Sequence, residues 1–258
     1  MTLPRITLVT PVLNRGALLR RTMDSVLNQN YPHLDYIVID GGSSDATISI
    51  IKEYSHHLHH WVSRTDSGLY YAINDGFSMS SGIVMGWLNS DDILQNNALL
   101  KVGETFSSHP NLSWLTGIAT TVDEADQITK MCWQARFRKE SFLYGGIRGI
   151  QQESTFFRRT LWDKAGGALN TSYQFAADYD LWCRFFLYEP LRHIYQPLGA
   201  FRRHQKQISN TNMSEYRLEV EKIRHVYRSR LTLRERLLGM IGAQRETSLQ
   251  RNLYPDFR

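Results

Sequence analysis

The stretch Gly86–Asp92, Gly-Trp-Leu-Asn-Ser-Asp-Asp, carries residue types that could do chemistry. The apolar run Ile83–Leu88 predicts a buried strand that ends in two adjacent carboxylates. Ligands of open α/β sheets bind at the carboxyl ends of strands, and burying unpaired aspartates is costly. The pair therefore suits a hard divalent cation, which takes oxygen ligands and can also hold a diphosphate. The alternative is a polar turn in which Asp91 or Asp92 caps a helix that starts near Ile93.

A second pair of acids lies further along the chain. Asp178 and Asp180 fall in the first turn of a predicted helix with an apolar stripe of Leu181, Trp182 and Phe185. An acid at a helix start beside a pocket can act as a general base. The same acids could instead only complement the helix dipole.

The elements that must position these acids follow a repeated pattern. Strands are predicted at Ile6–Val9 and Tyr36–Ile39, and each is followed by a polar loop and a helix, which is the opening of a doubly wound parallel sheet. The loop Asp40–Asp45 lacks the Gly-x-Gly-x-x-Gly spacing of a dinucleotide-binding turn. We expect the Asp40 carboxylate to accept hydrogen bonds from a base or a ribose, with a plain β-turn as the alternative.

Composition limits the classes of protein. With 258 residues, 42% of them hydrophobic, the chain can form one large α/β domain with a core. Its two cysteines imply neither a disulfide framework nor a zinc site. The net charge is +5, and basic residues are concentrated after Arg202, which favours an anionic partner such as phospholipid, nucleic acid or a pyrophosphate. A long amphipathic helix is predicted over Glu215–Gly239. The chain start lacks the apolar core of a signal peptide and no run reaches membrane-spanning length, so we expect a cytoplasmic protein.

Four motifs, Thr10–Asn14, Asp40–Asp45, Asp66–Gly76 and Trp87–Asp92, together resemble the family 2 glycosyltransferases of the GT-A fold. They occur in the family's order and spacing over about the first hundred residues. The resemblance implies an α/β GT-A fold for nucleotide-diphospho-sugar transfer, with a mostly parallel central sheet flanked by helices. We expect this domain to span residues 1–210, followed by a basic helical extension over residues 211–258.

The resemblance also implies roles for individual residues. The nucleoside pocket would be lined by Pro11, Asn14, Asp40 and Asp66. The family's D-x-D motif falls on Asn89-Ser90-Asp91, so Asn89 would bond a ribose hydroxyl and Asp91 would hold Mn²⁺ or Mg²⁺. In related enzymes a histidine in the place of His204 reaches the metal or the diphosphate, and Arg202 could screen phosphate charge.

The reacting groups follow from the second half of the chain. The family's catalytic Glu-Asp pair falls on Ala177-Asp178, which makes Asp178 the expected general base and Asp180 the second choice. Contacts to the sugar or the acceptor are expected from Arg148, Gln152 and Glu153.

The expected activity is inverting transfer of a hexosyl or N-acetylhexosaminyl residue, with a UDP-sugar the expected donor. The acceptor would be a glycan or lipid-linked glycan of bacterial polysaccharide or glycolipid biosynthesis, reached by peripheral contact with an anionic membrane. No nucleic-acid partner is expected.

Two other classes remain open. A sugar nucleotidyltransferase would need a glycine-rich basic loop where Thr10–Arg15 offers one arginine. A non-catalytic module that binds nucleotide sugar or nucleic acid would explain the basic charge and the Asn at position 89. The presence of both Asp91 and Asp178 argues against such a module.

Overall fold

The computed structural model describes residues 2–132, 138–144, 149–204 and 212–242. Its strands are β1 (Ile6–Val12), β2 (Leu34–Asp40), β3 (His60–Ser63), β4 (Val84–Trp87), β5 (Ile93–Leu94), β6 (Trp114–Thr116), β7 (Ala119–Val122), β8 (Ile128–Cys132), β9 (Thr155–Arg158), β10 (Arg192–His193) and β11 (Gly199–Arg202). Its helices are α1 (Gly16–Leu27), α2 (Thr47–Tyr54), α3 (Leu69–Ser78), α4 (Ala98–Ser108), α5 (Lys139–Tyr144), α6 (Arg159–Lys164), α7 (Ala177–Phe185) and α8 (Met213–Ser229). Residues 233–242 are also helical.

The central sheet has seven strands in the order β10-β6-β9-β4-β1-β2-β3. Strands β3, β2, β1 and β4 run parallel to one another, as do β6 and β10, and β9 is antiparallel to both of its neighbours. The predicted, mostly parallel sheet is confirmed. The loops after β1, β2, β3 and β4 therefore meet at one edge of the sheet, where the polar motifs of the sequence come together.

Side chains alternate along each strand and so bury two separate cores. Val9 of β1 packs on one face with α3, α7 and α8, whereas Leu8 packs on the other with α1, α2 and α4. On the first face Trp182 of α7 stacks against Trp87 of β4, with ring centroids 5.6 Å apart and an interplanar angle of 14°. This contact ties the middle of α7 to the end of β4, so that the helix that carries Asp178 and the loop after Trp87 belong to one packed unit.

The predicted helix near Ile93 is wrong. Ile93 and Leu94 form the short strand β5, which pairs with Gly199 and Ala200 of β11, and α4 begins only at Ala98. Strands β5, β11, β7 and β8 form a second sheet in that order. The two apolar residues give no helical period of their own, and pairing with a strand about a hundred positions away decides their conformation.

The predicted helix over Glu215–Gly239 is in two pieces. Helix α8 ends at Ser229, and the next helical segment starts at residue 233. The Thr232 amide donates to Glu235 Oε2 (2.8 Å) and the Glu235 amide donates to Thr232 Oγ1 (3.3 Å). This reciprocal pair is a capping box, which starts a new helix.

Helix α8 packs on the main domain. Its buried residues Val220, Ile223 and Tyr227 belong to the same core as Trp87 and Trp182. None of the helices within the described ranges is long and apolar enough to cross a membrane.

Candidate active site

The loops after β1 and β2 are joined by side-chain hydrogen bonds. The backbone amide of Asn14 donates to Ser43 Oγ (2.7 Å), and the side-chain oxygen Asn14 Oδ1 accepts the backbone amide of Ser44 (2.8 Å). Asn14 has a φ of 52°, a left-handed conformation that asparagine tolerates better than most residues. The exposed Asn14 thus organises the rim, while Pro11 is buried within β1.

The Asp40 carboxylate is fully buried and shapes the loop that follows it. Its oxygens accept the Ser43 amide (3.1 Å) and the Ser43 and Ser63 hydroxyls (2.5 and 2.7 Å). Gly42 has a φ of 91°, and a Cβ there would lie 2.9 Å from Thr65 Oγ1, so glycine is required. The carboxylate oxygens of Asp40 thus accept hydrogen bonds from within the protein. The expected contact between Asp40 and a nucleoside stays a prediction.

Asp66 lies at the open side of the same loops. A Cβ at Gly41 would be 3.0 Å from Asp66 Oδ2, which shows that the carboxylate lies directly against the backbone after β2. Asp66 Oδ1 accepts the Gly68 amide (2.8 Å), and its other oxygen, Oδ2, faces Gly41. This half-buried carboxylate is placed to accept a hydrogen bond from a ligand resting on the loops.

The loop after β4 carries two acids and an amide, and the imidazole of His204, which follows β11, contacts this loop. Asp91 Oδ2 lies 3.0 Å from His204 Nε2 and 3.9 Å from Arg15 Nε. Asp92 is buried, and its Oδ1 accepts the Arg202 amide (3.0 Å). Asn89 Nδ2 lies 3.4 Å from Asp92 Oδ2, and Asn89 Oδ1 is buried without a hydrogen-bond partner among the described residues.

Glu153 and Asp178 complete the acidic cluster on the side of α7. Burial, together with the charges of Asp178 and Asp91, raises the pKa of Glu153 to about 8, so both of these carboxylates lie near it. Burial also raises the pKa of Asp178 to about 6. One oxygen of each side chain, Glu153 Oε1 and Asp178 Oδ1, is buried without a partner in the described part of the chain. The site therefore combines an acid that is neutral at pH 7 with one that is ionised but unusually basic.

Arg202, which was expected to screen phosphate charge, lies in the interior of the protein. Its side chain is fully buried, where Nε donates to Asp126 Oδ1 (2.8 Å) and Nη1 donates to the Asp91 carbonyl (2.6 Å). The guanidinium therefore braces the loop that carries Asp91, and its expected contact with phosphate stays a prediction. Asp126, a turn residue with a φ of 62°, was missed by sequence reasoning because nothing in the sequence links it to Arg202.

The remaining expected residues have defined positions. Gln152 is buried and donates from Nε2 to the Trp87 carbonyl (2.6 Å), so it supports β4. The oxygens of Asp180 pair with Arg184 Nε (2.9 Å) and the Tyr227 hydroxyl (3.2 Å) on the far side of α7 from Asp178, and its role as the second choice of base stays a prediction. Arg148 lies outside the described residues.

Comparison with known proteins identifies the family of this chain. A model of glycosyl transferase family 2 matches residues 7–172, which hold the β1, β2, β3 and β4 loops and Glu153. The chain belongs to glycosyl transferase family 2. It is 28% identical over 190 residues to a PGL/p-HBAD biosynthesis glycosyltransferase of Mycobacterium bovis, covering 72% of this chain and 71% of that protein.

Solved structures show the GT-A fold for this family 2 chain. S. aureus TarS 1-349 in complex with UDP matches 96% of this chain and 72% of its own, with a TM-score of 0.72 and 16% identity. The mannosyltransferase PcManGT from Pyrobaculum calidifontis, in complex with GDP-Man and Mn²⁺, matches 98% of this chain and 76% of its own, with a TM-score of 0.64 and 14% identity. The chain spans 39% of a longer TarS structure.

The side chains that could ligate a metal in this glycosyltransferase fit a divalent cation. Among the described residues no group of three or more His, Cys, Asp or Glu side chains is arranged to hold a metal ion. Asp91 and His204 nonetheless offer a carboxylate and an imidazole 3.0 Å apart, with the unpartnered oxygen of Asn89 nearby in the same loop. Mg²⁺ and similar hard cations use one or two protein groups and fill their other positions with water and phosphate oxygens. An open two-residue site next to further acids matches that pattern.

The burial of Arg202 gives a first testable expectation. Arg202→Met should lower the free energy of unfolding by about 3 kcal/mol, because it removes one partner of a buried ion pair. Urea unfolding measures this change, and Arg203→Met is the matched control, since Arg203 is exposed next to it in the chain. If Arg202→Met leaves the unfolding midpoint unchanged but abolishes nucleotide binding, Arg202 contacts phosphate after all.

Proposed function

We propose that this chain transfers a hexosyl or N-acetylhexosaminyl residue from a nucleotide-diphosphate sugar to an acceptor hydroxyl, with inversion. A UDP-sugar is the donor that we propose. The observation that carries the proposal is Asp178, a half-buried carboxylate of raised pKa at the start of α7, close to the loop of Asp91 through their common neighbour Glu153. Structures of TarS with UDP and with UDP-GlcNAc, and of PcManGT with GDP-Man, support a nucleotide-sugar donor.

Asp178 performs the proton transfer in this mechanism. With a pKa of about 6 it is ionised at pH 7, yet it is a stronger base than an ordinary aspartate. It accepts the proton of the acceptor hydroxyl as that oxygen attacks the anomeric carbon and the bond to the diphosphate breaks. Attack on the face opposite the leaving group inverts the configuration.

The leaving diphosphate is stabilised at the other end of the site. Asp91 and His204 would hold Mn²⁺ or Mg²⁺, which when bound supplies positive charge against the phosphate oxygens. Arg15, 3.9 Å from Asp91, adds a cation from the start of α1. Glu153, neutral at pH 7, stands between the two acids without adding a negative charge and can donate a hydrogen bond to the sugar.

The nucleoside rests on the loops after β1, β2 and β3. Asn14 and Asn89 contribute polar groups at the rim, and Asp40 acts by fixing the loop of Gly41 and Gly42. Asp66 accepts a hydrogen bond from the base.

Asp66→Asn should therefore weaken UDP binding by about 1–3 kcal/mol, since a hydrogen bond to a charged acceptor is replaced by a weaker one. Isothermal calorimetry with UDP and GDP measures the loss. Asp75→Asn is the matched control, because Asp75 lies on α3 in an exposed pair with Arg64 at 2.5 Å. If Asp66→Asn binds UDP and GDP with the same affinities as the wild type, Asp66 does not contact the nucleoside.

Donor hydrolysis tests the proposed function and its stereochemistry without knowledge of the acceptor. Water takes the acceptor's place slowly, and proton NMR reads the anomer of the sugar that is first released. From an α-linked UDP-GlcNAc we expect the β-anomer to form first. Release of the α-anomer first would contradict single displacement. A donor that binds to the protein but stays unhydrolysed would indicate a binding module.

The acceptor is proposed to be a lipid-linked glycan of bacterial polysaccharide or glycolipid assembly, reached at an anionic membrane surface. In the helical segment 233–242 an exposed apolar stripe runs through Leu233, Leu237, Met240 and Ile241, which are 45–76% exposed. Their spacing places them on one face of the helix. Residues 212–242 carry seven Lys or Arg against four Glu, so this face suits anionic lipid headgroups.

We expect the protein to sediment with vesicles that contain phosphatidylserine and to be released by high salt, because each basic residue near such a surface contributes about 1 kcal/mol. Leu237→Ser with Ile241→Ser should reduce sedimentation, whereas Leu100→Ser on the exposed side of α4 should not. Equal sedimentation with neutral and anionic vesicles would contradict the charge contribution.

A further inference from the structure

Glu219 of α8 holds the segment that leads into α7. Its Oε1 accepts the Gln174 amide (2.8 Å), and its Oε2 accepts the amides of Phe175 (2.8 Å) and Ala176 (2.9 Å). Three successive backbone N–H groups thus point at one carboxylate that lies 43–45 residues further along the chain. Hydrogen bonds to an ionised acceptor are stronger than those between neutral groups.

The contact holds the residues that lead into α7, where the N-cap residue makes no side-chain hydrogen bond. Helix starts leave amides without partners, and a side chain of the N-cap residue often accepts one of them. Here the N-cap residue is Ala176, which has no side chain that can do so. The carboxylate of Glu219 accepts the amide of this N-cap residue and the two amides before it, so the conformation of the segment depends on the docking of α8.

The same segment is held from its other side by α3. The Tyr70 hydroxyl donates to the Phe175 carbonyl (2.7 Å). The backbone of residues 174–176 is therefore fixed through both its donors and an acceptor, and Asp178 follows two residues later in the first turn of α7.

We infer that Glu219 is a positioning residue for Asp178: it fixes the segment that presents this carboxyl and places a negative charge beside it. The inference rests on the proposed function, in which Asp178 is the general base. No substrate contact is assigned to Glu219 itself.

The electrostatic part follows from the groups that face Asp178. After burial, which is the main cause of its raised pKa, the charge of Glu219 raises that pKa further. The charge of Asp178 in turn acts on the pKa values of Glu153, Tyr70, Tyr216 and Cys183. Their own pKa values are raised, Glu153 to about 8 and the other three well above their ordinary values, so they are neutral at pH 7. Removing the charge of Glu219 should therefore lower the pKa of Asp178.

The test uses Glu219→Gln, with two matched controls. Glu221→Gln removes a charge from the exposed side of the same helix, where Glu221 pairs with Arg224 at 2.6 Å. Tyr70→Phe removes a hydrogen bond to the same segment without removing a charge. Carbon-13 NMR of the Asp178 carboxyl gives its titration midpoint, amide exchange reports on residues 174–176, and nucleotide release as a function of pH gives kcat and KM.

In Glu219→Gln we expect the Asp178 midpoint and the acid limb of kcat to move together to lower pH, with faster exchange of the three amides. We expect kcat to fall about 10- to 100-fold, because small misplacement of a catalytic group is costly, while KM for the donor is unchanged. Tyr70→Phe should loosen the amides without moving the midpoint, and Glu221→Gln should do neither. Glu219→Asp keeps the charge but has a shorter side chain. It should loosen the three amides with a smaller change in the titration midpoint of Asp178. This variant replaces Glu219→Gln if Glu219→Gln does not fold.

An Asp178 midpoint and amide exchange in Glu219→Gln equal to those of Glu221→Gln would overturn the inference. The two NMR measurements need no activity. If they change as expected while the wild type transfers no sugar, the positioning contact stands and the proposed function fails.

Discussion

Asp178→Asn is expected to lower kcat for sugar transfer about 10²–10⁴-fold, the range typical of the loss of a general base. Asparagine keeps the shape of the side chain but cannot accept a proton. The affinity for UDP should stay near that of the wild type, because the loops after β1, β2 and β3 that bind the nucleoside are untouched. Stopped assays of nucleotide release with calorimetry of UDP binding measure the two quantities separately.

The pH dependence of the wild type belongs to the same prediction. Asp178 works only when deprotonated, and burial raises its pKa to about 6. We therefore expect kcat to fall as the pH drops below about 6, with a slope of one proton, and this limb to vanish in Asp178→Asn. Asp180→Asn is the internal control, since it should lower stability by about 1–3 kcal/mol through its contacts with Arg184 and Tyr227 and leave the limb in place. A dead Asp180→Asn variant beside an active Asp178→Asn variant would reverse the assignment.

Asp91→Asn is expected to reduce metal-dependent transfer by about 100-fold or more. A metal at a developing phosphate charge contributes several kcal/mol, and each 1.36 kcal/mol is about a factor of ten. The fold should remain, because the Asp91 side chain is partly exposed and contacts His204 and Arg15 rather than the core. Titration of Mn²⁺ or Mg²⁺ into chelator-treated protein, followed by nucleotide release, measures the change.

His204→Asn should weaken the same metal response to a smaller extent, since imidazole is the second ligand of the pair. Zinc should restore less activity than manganese, because a site dominated by oxygen ligands favours harder cations. Full activity of Asp91→Asn in the presence of chelator would exclude Asp91 as a metal ligand.

Local signals predicted the centre of the fold. Apolar runs that end in polar residues marked β1, β2 and β4, and parallel pairing then required their loops to meet at one edge of the sheet. Just before α2, whose N-cap residue is Ala46, Asp45 Oδ1 accepts the Thr47 amide (2.9 Å). These features depend on residues close in sequence, which is why they could be read without a structure.

Contacts between distant segments could not be read in this way. Arg202 reads as a free cation in a basic stretch, yet it is buried against Asp126, 76 residues earlier. Glu219 reads as one of several charges on an amphipathic helix, and its three amide partners lie on another element. The break before Thr232 is different, because the Thr-x-x-Glu spacing of a capping box was present in the sequence and was missed.

The most direct measurement is release of free nucleoside diphosphate from UDP-GlcNAc, UDP-glucose and GDP-mannose, with Mn²⁺ present, by the wild type, Asp91→Asn and Asp178→Asn. We expect the wild type to release nucleoside diphosphate from one of these donors, and both variants to be slowed about 100-fold or more while still binding nucleotide. Release of pyrophosphate from a sugar phosphate and a nucleoside triphosphate would indicate a nucleotidyltransferase. Binding of a donor with no release by any of the three proteins would contradict sugar transfer.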